Sequence, residues 1–147
     1  MVPLGLATNL LAVKRGATPP FFTPAQMMAA DGFDLLLFAS LFTAAVLLRK
    51  QAAWHKRLML CATVLLAWPA IGRLSPLRSF GLSGIIPASI VLLILLALVG
   101  PAFDLVTRRR IHPAYLWGVG LIIAAQPLHA LIAASPPVQA LAHSLTP

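Results

Sequence analysis

Apolar residues come in long blocks broken by short polar punctuation, without the strict alternation of strands, and this pattern predicts helices throughout. The first block, Val2 to Val13, ends at Lys14 and Arg15. As a helix it reaches only about 18 Å against a hydrocarbon core of about 30 Å, so it is expected to lie at the membrane interface or to be the end of a longer helix. A signal peptide would carry its charges before the apolar block and a small-residue cleavage site after it, and neither is present. Pro19, Pro20, Phe21 and Phe22 then form an extended connector whose aromatic pair suits the headgroup zone.

Thr23, Pro24 and Gln26 spell a helix start: an N-cap, a proline at the first helical position, and the reciprocal partner of a capping box. The block from Ala25 to Leu48 is long enough to cross a membrane and carries Asp31 and Asp34, three apart and so on one face. A second span is expected from Leu58 to Gly72, with Pro69 thinning its last turn. After a polar turn from Arg73 to Ser83, a third runs from Ile85 to Val99 and stops at Gly100 and Pro101. A loop from Asp104 to His112 leads into a fourth, Pro113 to Ala134, which Ser135, Pro136 and Pro137 terminate. The fold expected is all-α: an integral membrane bundle of four transmembrane helices over 24–134, preceded by the short segment and connector 1–23 and followed by a weakly amphipathic surface tail, 135–147.

Composition agrees with that architecture. Of 147 residues 60% are hydrophobic and only 10% charged, and the mean hydropathy is +0.92, which leaves too little polar surface for a water-soluble domain. Eleven Lys and Arg against three Asp give a formal net charge of +8. The bases cluster between apolar blocks, so anionic lipid headgroups rather than nucleic acid are the expected partner. Arg49, Lys50, Lys56, Arg57, Arg108, Arg109 and Arg110 fall in the loops after the first and third spans. They are seven of the eleven bases and place both loops on the cytoplasmic side. Trp54, Tyr115 and Trp117 supply aromatic belt positions beside them. Cys61 stands alone, which excludes an intramolecular disulfide framework and a cysteine-based metal centre. Gly-rich phosphate loops, Ser-His-Asp order and histidine spacings of a metal site are absent, so no self-contained enzyme is expected.

The candidate chemistry lies in two places. Measured at 1.5 Å per residue from the basic ends, Asp34, Arg73, Gln126 and His129 all fall about 20 to 24 Å away, in the outer part of the bilayer. Charges at such depth should face the bundle interior and one another, so Asp31, Asp34, Arg73, Gln126 and His129 form a predicted polar pocket with an Asp34–Arg73 ion pair at its centre. The pocket reading is a small binding or proton-handling site with His129 as the titrating group; the plainer reading is a buried pair that fixes helix register. The second place is the cytoplasmic side, where His55 and His112 precede two parallel helices. Two such imidazoles are the minimum for one b-type haem, or could face a quinone, although histidine is ordinary in a wet interface and no cofactor is the leading expectation.

The segments RKQAAWHKRLML and GRL around the second span, and RRRIHPAYLWG leading into the fourth, resemble small uncharacterised bacterial membrane proteins in which a basic, histidine-containing loop twice leads into a helix. More distantly they are similar to families of unknown function near cytochrome-oxidase assembly factors. The likeness spans about Phe21 to Ser135 and implies a multi-pass protein of the bacterial inner membrane; the polar pocket points to a binding or accessory component, and the small size and short loops to a structural subunit of a larger membrane complex as the alternative. It carries no reaction onto His55, Arg73 or His112.

Overall fold

A computed structural model describes residues 2–16, 23–71 and 81–145. Every regular element among them is helical: α1 (Val2–Lys14), α2 (Pro24–Leu47), α3 (Ala52–Leu66), α4 (Trp68–Ile71), α5 (Gly81–Arg108), α6 (Pro113–Ala133) and α7 (Pro136–Leu145). Three of these, Pro24–Leu47, Ile86–Arg108 and Pro113–Ala133, are long and apolar enough to cross a membrane. This is the architecture of a multi-pass membrane protein, with three candidate spans rather than the expected four.

The missing span is the second, and local chemistry explains its loss. α3 has only 15 residues, about 22 Å of helix, and its first two turns include Lys56 and Arg57. It closes at Ala67, whose N–H turns back to the Val64 carbonyl at 3.0 Å. Two residues later Pro69 has no N–H to offer the Leu65 carbonyl, so the ladder restarts as the four-residue α4 instead of continuing to Gly72. The expected polar turn from Arg73 falls largely on residues 72–80, outside the described residues.

The third span departs in the opposite direction. α5 does not stop at Gly100 and Pro101 but runs through Pro101 to Arg108. Proline removes one ladder bond, and an apolar run on both sides of it holds the helix together. Asp104, Thr107 and Arg108 are therefore helical, and the expected loop from Asp104 shrinks to residues 109–112. Arg109 closes the helix with φ at 55°, its N–H on the Leu105 carbonyl.

Several starts follow the sequence signals. The Thr23 N–H donates to Gln26 Oε1 at 3.0 Å and the Gln26 N–H to Thr23 Oγ1 at 3.2 Å, which completes the predicted capping box. Pro113 and Pro136 each occupy a first helical position. Ser135 donates its hydroxyl to the Ile132 carbonyl, capping the end of α6 as α7 begins.

The chain divides into two compact units: residues 1–36 with 125–147, and residues 37–124. In the first, α1 packs with α7, and Val13, Ala29, Ala30, Ala133 and Ala142 are buried. In the second, α3 and α4 pack on α5 around Leu58, Cys61, Leu65, Leu93, Tyr115 and Ile122. Two glycines allow close approach there. A Cβ on Gly118 would stand 2.5 Å from Cys61 Sγ, and one on Gly100 would stand 2.6 Å from the Tyr115 ring.

Candidate functional site

In the first unit, Asp31 and Asp34 share a face of α2, and α6 brings His129 to them. His129 Nε2 stands 3.1 Å from Asp34 Oδ1, within ion-pairing distance but without the alignment of a hydrogen bond, and neither atom has another partner although both are buried. Phe33 packs edge-on against the imidazole, with ring centroids 5.5 Å apart. Asp31 interacts electrostatically with both Asp34 and His129.

A further member comes from α1. Asn9, 8% exposed, donates through Nδ2 to Asp31 Oδ2 at 3.0 Å and to the Met27 carbonyl at 3.4 Å. Both contacts are acceptors, so the amide orientation is fixed by chemistry, and its Oδ1 is left buried without a partner. Asn9 lay outside the sequence-predicted pocket. Its signal is an amide inside a largely apolar block, but a segment expected at the interface or as the end of a longer helix gives no partner for it in the sequence. Gln126 lies in the same unit on α6, half-buried. Arg73, expected as the partner of Asp34, lies outside the described residues. The cluster therefore shows two carboxylates, an imidazole and a carboxamide, with three buried polar atoms that make no hydrogen bond: Asn9 Oδ1, and Asp34 Oδ1 and His129 Nε2, which face each other at 3.1 Å.

The second unit holds a polar site of different character. Arg57 was expected among the headgroup-facing bases, but it is 2% exposed and pairs bidentately with Asp104, Nε donating to Oδ2 at 2.7 Å and NH2 to Oδ1 at 2.8 Å. Its NH1 donates to the Ala53 carbonyl at 2.8 Å, and the guanidinium carbon lies 5.7 Å from the centroid of the Tyr115 ring. The shift from loop to helix explains the difference: with α5 continued past Pro101, Asp104 stands inside the bundle and draws the nearest guanidinium to it. Arg108, exposed, reaches Asp104 Oδ1 only at 3.9 Å. The remaining predicted bases, Arg49, Lys50, Lys56, Arg109 and Arg110, are also exposed.

His55 and His112 each have a separate local role. His55 Nδ1 meets the Ala45 carbonyl at 2.8 Å, so this nitrogen carries the proton and ties the start of α3 to the end of α2. His112 Nδ1 accepts the Ala114 N–H at 3.2 Å and so caps α6, while its ring packs edge-on against Trp54, centroids 5.2 Å apart. Burial first, then the positive charge of Arg57, holds the His112 imidazole below the ordinary histidine pKa. As a neutral cap His112 keeps its proton on Nε2, and ligating a haem iron through that nitrogen would cost the cap. Among the described residues no three His, Cys, Asp or Glu side chains gather in a metal-binding arrangement.

The chain matches no protein-family model, no curated protein and no solved structure.

Proposed function

We propose that this is a small binding or accessory protein of the bacterial inner membrane, with its basic loops cytoplasmic, whose working site is the cluster of Asp31, Asp34, His129 and Asn9, and that this cluster handles a proton. The observation that carries the reading is the contact of 3.1 Å between His129 Nε2 and Asp34 Oδ1, two buried atoms with no other partner. A pair serving only to fix helix register is stabilising when its hydrogen bonds are all made, and unsatisfied buried polar atoms cost stability. Atoms in contact but without a hydrogen bond, where an ionisable side chain is rare and costly, suit a pair that exchanges a proton. An imidazole can take a proton or give one up at each nitrogen, and a carboxylate within contact can share it.

The test is pH-difference infrared spectroscopy on protein in lipid nanodiscs. A carboxyl band assigned to Asp34 by its disappearance in Asp34→Asn is expected to alter its pH response in His129→Gln, because the proton is shared. His129→Gln should at the same time leave thermal stability close to that of the wild type. An Asp34 band indifferent to His129, or a large loss of stability in His129→Gln, would reduce the pair to a structural contact.

A further inference from the structure

Three contacts in the second unit gather helix ends at one place. His55 holds the start of α3 to the Ala45 carbonyl at the end of α2, Trp54 packs on His112 at the start of α6, and Arg57 holds α3 to Asp104 near the end of α5. The short connections 48–51 and 109–112 therefore lie at the same end of this unit. That end presents Arg49, Lys50, Lys56, Arg108, Arg109 and Arg110, all exposed. Asp104 is the one acid between residues 37 and 124; it is 4% exposed, held bidentately by Arg57, and reaches one of the six cations, Arg108, only at 3.9 Å. Six cations thus face outward with no exposed acid among them, and the buried pair leaves Asp104 only a long contact to Arg108.

Arg109 adds a second, independent sign. It ends α5 with φ at 55°, a left-handed conformation that a glycine adopts freely and a side chain with a Cβ does not. An arginine costs more in this conformation than glycine would, and residues held in such conformations cluster where a side chain is used. The left-handed turn takes Arg109 and Arg110 off the helical path on which Arg108 lies, and all three side chains are exposed.

We propose that this end of the second unit is a binding site for the phosphate of anionic phospholipid headgroups, with Arg109 as a contact residue whose conformation is held for that purpose. The lipid is favoured over a soluble phosphate because α2, α5 and α6, which the base-bearing connections 48–51 and 109–112 adjoin, are themselves candidate spans that place this end at a membrane surface, and Trp117 on α6 is 67% exposed.

Native mass spectrometry of the purified chain, in neutral detergent with equal phosphatidylglycerol and phosphatidylcholine, tests this. The wild type is expected to retain phosphatidylglycerol several-fold over phosphatidylcholine, with retention falling as salt is raised. Arg109→Gly should lose much of that preference and yet melt at a higher temperature in lipid-free detergent, a combination that a role in topology or folding alone would not produce. Lys50→Gln should weaken retention by a smaller factor. Equal retention of the two lipids, unchanged retention in Arg108→Gln/Arg109→Gln/Arg110→Gln, or displacement of the lipid by inorganic phosphate at the same concentration would each overturn the assignment. A lower melting temperature in Arg109→Gly would overturn the role given to Arg109.

Discussion

The two units bury polar side chains in opposite ways. In the second, Arg57 and Asp104 meet through two parallel hydrogen bonds, a backbone carbonyl takes a third donor, and an aromatic ring lies by the guanidinium. In the first, Asn9, Asp31, Asp34 and His129 gather with three buried atoms that make no hydrogen bond. Among the described residues the second unit leaves one such atom, the Ser89 hydroxyl, which carries no charge. Full satisfaction of a buried pair gives one geometry and little reason to leave it. Partial satisfaction leaves room for a proton or a ligand to change the count. Polarity within an apolar bundle is thus by itself no sign of function; the state of its hydrogen bonds separates a brace from a site.

The sharpest way to break that contrast is to unpair the brace. Arg57→Ala or Asp104→Ala strands a charge that is almost fully buried, and each should cost about 3 to 5 kcal/mol in unfolding from mixed micelles. Arg57→Leu/Asp104→Leu should recover most of the loss, since neither charge is left to desolvate. Arg57→Lys keeps the charge but not the planar fork, so it should fall between wild type and Arg57→Ala. Additive single effects would show that the two side chains do not act as a pair.

Close packing around the brace gives the next effect. Gly118→Ala places a methyl 2.5 Å from Cys61 Sγ and 2.8 Å from its Cβ, so helix backbones must shift, at about 1 to 3 kcal/mol. Adding Cys61→Ala removes the nearer of these atoms and should return part of the loss in the same unfolding measurement. The first unit should behave otherwise. Asn9→Leu gives up the bond to Asp31, worth about 0.5 to 1.5 kcal/mol, but also removes a buried oxygen whose lost solvation costs about 1 to 3 kcal/mol. Its net effect on unfolding is expected to lie within about 1 kcal/mol of zero. A loss as large as that of Arg57→Ala would place Asn9 in a brace of the same kind and erase the distinction.

What the sequence disclosed follows the range of the interactions involved. Caps and prolines act over three or four residues, and so the starts of α2 at Pro24 and of α6 at Pro113 are legible, whereas Pro136, read only as a stop, also opens α7. Asp31 and Asp34 share a face by spacing alone, and hydropathy placed His129 in a span. Asn9 joins them through a contact 22 residues away along the chain, which no local pattern encodes. The misread elements are those in which proline was ambiguous. Pro69, expected to thin a helix, accompanies a break in it, and Pro101, expected to end one, lies within it. Both outcomes depend on what flanks the proline: after Pro101 the apolar residues Ala102, Phe103, Leu105 and Val106 carry the helix past Asp104, which is buried against Arg57, whereas the first turns of α3 include the charged Lys56 and Arg57. Asp104 as the single acid in residues 37–124, set within an apolar run, was the available signal for the ion pair.

The smallest expected effect joins the brace to pH. His112 caps α6 by accepting the Ala114 N–H on Nδ1, which it can do only while that nitrogen is unprotonated. Burial lowers its proton affinity, Arg57, Arg108 and Lys56 lower it further, and Asp104 opposes them. An imidazole held below its ordinary value of about 6.5 binds a proton less readily folded than unfolded, so its contribution is complete above that pH and is lost as pH falls through the interval between the two values. His112→Asn offers an amide oxygen that accepts the same N–H without titrating. The variant should therefore melt close to wild type at about pH 7.5 and lose less of its melting temperature as the pH falls below about 6.5, where the wild-type contribution is progressively lost. Removing the brace should shrink the difference, because Arg57 is the largest of the charges acting on the ring. A gap between variant and wild type that is the same at both pH values would mean that the cap does not titrate and that His112 contributes packing against Trp54 alone.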